Sequence, residues 1–374
     1  MEPEAREIDV FYAFRDSPQR RSALRTEVGS AERYCLFGLD QLASRGVRAT
    51  HNLERTPPGW ARSADALVNR ALNMTGGYGG DFATVLGSRA SVNAAGVAFA
   101  TVDTVGLPLV LLKRAGLVRP PLVYVAVGLP ERLARLRGTR IRRLYVSALR
   151  MAHAIVAYSA HEVEALQRWL GDQAPRIVFI PFGVDTGYFR PDPAVVPDVD
   201  VVSIGADPHR DFALLIAVAA RRPDLRVRIV TTAAQARAIE PAPVNVEVET
   251  DVAFSLVRDR LASGRLVVLP VRDNSYSGAT TVLLQAMAMG KPVVVSRTAA
   301  VAQGYGLVDG ESCRFVKPGD AVALEQAIAS LLKDERLTAA LGARARATVE
   351  EHLSWDRYVD AIRNVLAGAA QRTA

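Results

Sequence analysis

The chain has 374 residues, of which 49% are hydrophobic and 23% charged, a balance that excludes fibrous and disordered classes and a length that favours two cores over one. No run reaches the roughly 18 uninterrupted apolar residues of a membrane span, and two widely separated cysteines, Cys35 and Cys313, make no disulfide framework and fit a reducing cytosol. The net charge of +7 rests mostly on arginine, which suits anionic ligands or an anionic surface but equally reflects an arginine-using genome.

Ile8 to Phe14 predicts a first strand, followed by a polar, arginine-rich loop ending at Gly29-Ser30-Ala31-Glu32. Tyr34, Leu36, Phe37, Leu39 and Leu42 recur at helical spacing up to a stop at Gly46, and Val47 to Thr50 restarts a strand. Residues 56–94 give no clear period; Pro57-Pro58-Gly59 and the glycine-rich run 76–80 read as loops. Val97 to Val102 predicts a strand ending at Asp103, Val105 to Leu117 a helix, and Pro121 to Val127 the next strand. A basic helix over Arg140 to Ser147, a strand over Ala154 to Tyr158, a helix over Ala160 to Leu170 and a strand over Arg176 to Ile180 follow. Pro181 to Pro193 is rich in Pro, Gly and Asp and reads as a linker, after which the alternation restarts. Strands are expected at 200–204, 227–231, 244–248 and 266–269, and helices at 212–220, 338–351 and 355–366, the last capped by Ser354. Alternating strands and helices argue for parallel, doubly wound sheets, one in each half.

The segment from Ser275 to Ser296 carries the most chemistry. Ser277, Gly278, Ala279, Thr280 and Thr281 form a small, hydroxyl-rich loop at a helix start, where converging N–H groups and the helix dipole favour a phosphate. Leu283, Leu284, Ala286, Met287 and Ala288 predict a buried helix, Gly290 its stop, and Val293 to Val295 a buried parallel strand.

Several segments together resemble a known family: Gly29 to Glu32, Pro181 to Asp185, Gly205-Ala206-Asp207-Pro208-His209-Arg210-Asp211, the Ser277 to Ser296 block, Asp309 to Glu311, Pro318 to Asp320 and Leu353 to Trp355. Their order and spacing are similar to those of the retaining GT-B glycosyltransferases of the GT4 type, over nearly the whole chain. The resemblance implies an α/β fold of two Rossmann-like domains facing a cleft. It divides the chain into an acceptor-binding domain, 1–182, a nucleotide-sugar domain, 183–352, and a C-terminal helix, 353–374, returning to the first domain. It implies a nucleotide-sugar donor, a hydroxylated acceptor, retained anomeric configuration and no required metal or further cofactor.

Residue by residue, the resemblance places Gly29, Ser30, Gly205, His209, Arg210, Gly278, Ala279, Thr280, Thr281 and Gln285 at the donor. Family members carry a Gly-Arg pair after the first strand of the second domain and a lysine soon after; here Ala206 follows Gly205 and Arg210 stands near the lysine, where a bidentate guanidinium suits a phosphate. The alternative reading of Arg210 is a surface arginine capping the next helix, and a lone histidine such as His209 is more often a plain loop residue. Two family glutamates are replaced by Ser277 and Gln285, and Ala126-Val127-Gly128 holds no counterpart of the family histidine near the transferred sugar. Asp103 either orients the acceptor hydroxyl or caps a helix. The loop Arg15–Thr26 is a further candidate to line the acceptor site.

The leading expectation is therefore a cytoplasmic glycosyltransferase acting on a small hydroxylated molecule, with Arg210, Ser277 and Asp103 as the catalytic candidates. The N-terminal Met1 to Arg6 lacks the order of a signal peptide. The alternatives are a non-catalytic nucleotide-sugar-binding or partner subunit, a glycolipid or polysaccharide glycosyltransferase, or, less directly, a phosphorylase or epimerase of the same fold. No nucleic-acid partner is expected. The arginines between Arg132 and Arg143 form either a solvated face or a basic amphipathic surface for anionic lipid, and without aromatic anchors nearby in sequence a soluble acceptor is preferred.

Overall fold

The computed structural model describes residues 7–26, 32–274 and 278–371. They form two compact units: the first runs to Ile180 and regains the chain from Tyr358 onward, and the second spans Pro181–Arg357.

The first unit holds a six-stranded parallel sheet of β1 (Ile8–Ala13), β2 (Val47–His51), β3 (Val97–Ala100), β4 (Leu122–Ala126), β5 (Ala154–Ala157) and β6 (Arg176–Phe179), in the order β2-β1-β3-β4-β5-β6. Every residue of β3, β4 and β5 is buried, as expected of parallel strands covered on both faces. Its helices of eight or more residues are α1 (Gly59–Met74), α2 (Asp103–Arg114), α3 (Thr139–Leu149) and α4 (Ala160–Leu170).

The second unit repeats the plan with β7 (Val199–Ile204), β8 (Val227–Thr231), β9 (Val246–Thr250), β10 (Gly264–Leu269), β11 (Val293–Ser296) and β12 (Arg314–Val316), ordered β12-β11-β10-β7-β8-β9. Read from β9, this is the 3-2-1-4-5-6 order of dinucleotide-binding sheets, and its winding reverses between β7 and β10. Its longer helices are α5 (Phe212–Arg221), α6 (Thr280–Ala288), α7 (Ala321–Lys333) and α8 (Glu335–His352). Helix α9 (Trp355–Ala370) begins in the second unit and continues in the first.

The expected helix over Tyr34 to Leu42 is a correction. The chain makes a 3-10 turn at Arg33–Leu36, breaks at Phe37 and Gly38 with φ of 52° and 87°, and resumes at Leu39–Leu42. A Cβ on Gly38 would sit 3.0 Å from Val359 Cγ2 of α9, so close packing takes precedence over local periodicity here. The strand expected at 244–248 lies two residues later, with Val244 fully exposed. The unparsed stretch 56–94 contains α1 and two shorter helices, Phe82–Gly87 and Arg89–Ala94.

Candidate functional site

In the second unit, the reversal of winding between β7 and β10 brings two loops together beyond their carboxyl ends. Gly205 follows β7, and the chain then turns through Asp207 and His209 before reaching Arg210. Arg210 pairs as an isolated antiparallel bridge with Val271, just past β10. The Arg272 N–H donates to His209 O at 2.8 Å and the Asp211 N–H to Pro270 O at 2.9 Å, so the two loops are stitched by backbone bonds. Asp207 Oδ1 accepts the His209 N–H at 2.8 Å, which closes the turn, and Asp211 caps α5 by accepting from Leu214. The helix cap is thus Asp211, not Arg210.

Arg210 is 3% exposed, and its guanidinium lies over Gly205: a Cβ there would be 2.2 Å from Arg210 Nε. Only glycine leaves room for it. Nε and Nη1 have no hydrogen-bond partner among the described residues. Burial pushes the Arg210 pKa down to about 10, with Asp207 opposing the shift. A guanidinium that stays charged at neutral pH, is out of water and leaves two N–H groups unmatched is costly in the free chain, and an anion removes that cost.

Helix α6 starts in the same region, after β10. Its N-cap residue Ala279 offers no side-chain hydrogen bond, so among the described residues no side chain caps the first-turn N–H groups. Ala279 and Thr280 are buried, Gly278 and Thr281 half-buried, and Thr280 Oγ1 also lacks a partner among the described residues. Gln285 is buried on α6. At its other end α6 closes with a Schellman pair, Gly290 N–H to Met287 O at 2.9 Å and Lys291 N–H to Ala286 O at 3.0 Å.

Sequence reasoning missed the brace beneath this site. Gln235 Nε2 donates to Asp207 O at 2.6 Å, and Thr231 Oγ1 lies 2.8 Å from Gly205 O and 2.5 Å from Gln235 Oε1. A side chain that holds a backbone carbonyl leaves no motif to find. Gly29, Ser30 and Ser277 lie outside the described residues.

Asp103 belongs to the first unit, where it opens α2 at the carboxyl end of β3. It is 1% exposed and is not the helix cap, a position held by Val102. Asp103 Oδ1 accepts from Tyr124 Oη at 2.7 Å and from the Val127 N–H at 3.2 Å, while Oδ2 faces Arg132 Nε at 3.3 Å. The next N–H along, Gly128, donates to Glu162 Oε1 at 3.1 Å, and Glu162 Oε2 has no partner among the described residues. Two buried carboxyl groups thus hold consecutive backbone N–H groups just past β4, where the resemblance expected a histidine. Desolvation pushes Asp103 up to about 6 and Glu162 up to about 8. The expected loop 15–26 instead contains a short helix, Pro18–Ala23, capped by Ser17, and its Arg20 is committed to the carbonyls of Arg15 and Cys35 at 2.8 and 3.4 Å.

Residues 209–334 match the family described as Glycosyl transferases group 1, a stretch that begins beside Arg210 and takes in all of α6. That match lies within the second unit. Among solved structures it is similar to sucrose-phosphate synthase from Thermosynechococcus elongatus, with a TM-score of 0.75 and 17% identity over 96% of this chain and 98% of that one. It is also similar to Anabaena HepE in complex with UDP and glucose, at 0.67 and 16% over 96% and 100%. The fold is GT-B. A curated relative, MMP alpha-(1->4)-mannosyltransferase from Mycolicibacterium hassiacum, is 29% identical over 47% of this chain and 44% of its own length, so the match spans less than half of that relative.

Proposed function

We propose that the chain is a retaining, metal-independent glycosyltransferase that moves a sugar from a nucleotide-sugar to a hydroxylated acceptor, a small molecule or natural product. The observation that carries this reading is the buried, unmatched Arg210 guanidinium over Gly205, at the reversal point of the sheet and in the same loop region as the start of α6. A diphosphate has the charge and the oxygen acceptors that this arrangement lacks. Transfer with retention asks mainly that the leaving diphosphate be stabilised as the glycosidic bond breaks, and fixed cations and helix N–H groups supply that without a metal. Gln285, with a neutral amide, is assigned to the ribose hydroxyls.

The second reading, a nucleotide-sugar-binding subunit without turnover, is favoured by Ala206 and Ser277 standing where the family carries an arginine and a glutamate, and by the segment Ala126-Val127-Gly128 holding no histidine. Titration calorimetry with UDP, the nucleotide in the HepE complex, and with other nucleoside diphosphates tests the site. Release of nucleotide from a panel of nucleotide-sugars, with and without acceptors, tests turnover. Binding with turnover that persists in chelator is the expected result. Binding without turnover across the panel selects the second reading, and turnover abolished by chelator and restored by divalent metal overturns metal independence.

A further inference from the structure

Helix α1 carries an apolar stripe that the first unit does not use. Trp60, Leu67 and Met74 recur every seven residues, which returns them to nearly one line along the helix, and Ala64 and Ala71 fill the same line. Trp60, Leu67 and Met74 are 60%, 69% and 80% exposed, whereas the helix buries Ala61 and Leu72 on a different face. Beside the stripe, α1 and α3 border an open groove of about 770 Å³ lined by Leu67, Val68, Ala71, Ile141 and Leu144. Arg137 and Arg140 line it as well, and no acidic residue among the described ones does.

Charge decides what this surface fits. Arg140 and Arg143 project from α3 into solvent, and Arg137 is exposed just before it. The acid of α1, Asp65, is already committed, through Oδ1, to Asn69 and to the N–H groups of Phe82 and Ala83. A two-fold contact with a second copy would set these arginines against their own counterparts with no carboxylate between them, so the surface selects against itself. An aromatic residue at the start of a helix, a continuous apolar line and arginines alongside are instead the features of an interfacial helix on anionic lipid.

We propose that the α1–α3 face of the first unit docks on the surface of an anionic bilayer, with Trp60, Leu67 and Met74 inserted among the acyl chains and Arg137, Arg140 and Arg143 on the headgroups. Trp60 supplies the aromatic anchor absent from the Arg132–Arg143 segment itself. No helix among the described residues is long and apolar enough to cross a membrane, so the contact is peripheral. The inference stands apart from the sugar-transfer reading, because lipid binding is measured without any sugar nucleotide. If it holds, a lipid-linked acceptor replaces the soluble one expected from the sequence.

The test is co-sedimentation of the full chain with phosphatidylcholine vesicles, plain or containing about one-third phosphatidylglycerol, over a salt series. The expected result is capture by the anionic vesicles only, weakening with salt. It falls at least about tenfold both in Leu67→Ser/Met74→Ser and, separately, in Arg137→Ser/Arg140→Ser/Arg143→Ser, since insertion and charge both contribute to such binding. All five side chains lie on the surface, and the two sets report independently should one disturb folding. No capture, or capture indifferent to both sets, overturns the proposal. So does a dimer, seen by sedimentation equilibrium, that dissociates on the Leu67→Ser/Met74→Ser change.

Discussion

Arg210 sets a conflict between stability and binding that a single substitution exposes. Arg210→Met keeps much of the buried volume and removes the unmatched charge. The variant is expected to be at least as stable as the parent in urea unfolding, while its affinity for a nucleoside diphosphate falls by about 1.5–3 kcal/mol, the range for hydrogen bonds to charged groups. Unchanged affinity in a folded variant would remove Arg210 from the site. Glu162 makes a different prediction. Its folded pKa is near 8 against an ordinary 4.5, so between these values the native chain holds a proton that the unfolded chain has released. Stability must therefore fall as pH rises through that window, by up to about 1.4 kcal/mol per pH unit for one proton. Glu162→Gln keeps an oxygen for the Gly128 N–H and has no proton to lose. Its unfolding free energy should decline less between pH 5 and 8, and parallel profiles for parent and variant would show that Glu162 is ionised in the fold. The sequence hides this role because Ser159 and Glu162 stand at the spacing of a capping box, in which a glutamate serves only its own helix. Here Ser159 does cap α4, accepting the Glu162 N–H at 3.1 Å, yet the Glu162 carboxyl group reaches across to the loop after β4.

At the level of elements, what was legible followed the physics of burial. Strands such as β4 and β8 and helix α6 are largely apolar runs and α4 an amphipathic one, all with clear stops, and their boundaries match the sequence reading within a few residues. Helix α1 was not legible, because its apolar line faces solvent and Asn69, Asn73 and the glycines after it blur the period. The short β12 and helix α7 were also passed over. The candidate site was legible in outline, since small residues before a buried helix announce a phosphate loop, but its bracing by Thr231 and Gln235 was not. The closed end of α6 is testable. Gly290 has φ of 66°, and Gly290→Ala should cost about 1–2 kcal/mol for placing a Cβ in the left-handed region. Gly342→Ala should cost more, because its Cβ would fall 2.1 Å from Gly290 O, a backbone atom that cannot rotate away. Equal, small effects on chemical unfolding would mean that α8 and the α6 terminus separate readily.

At the scale of the whole molecule, the first unit is built from two distant stretches of chain. Tyr358, Val359, Ile362, Val365 and Leu366 are all buried on α9, and Tyr358 Oη pairs with Tyr158 Oη at 2.9 Å. At about 1.5–3 kcal/mol for each buried side chain, these five rival the 5–15 kcal/mol that holds a typical domain together. Removing residues 358–371 should therefore abolish or sharply lower the thermal transition of the first unit in calorimetry and leave that of the second. Two unchanged transitions would refute this.

The same arrangement bears on how the chain is made. β6, the last strand of the first sheet, is complete at Phe179, whereas Tyr358 leaves the ribosome roughly 180 residues later, a delay of about 10–35 s at ordinary elongation rates. Throughout that interval the nascent first unit presents an empty apolar seat beside Gly38 and Tyr158, a natural client surface for chaperones, and a message cut short before Tyr358 would leave a product marked for degradation.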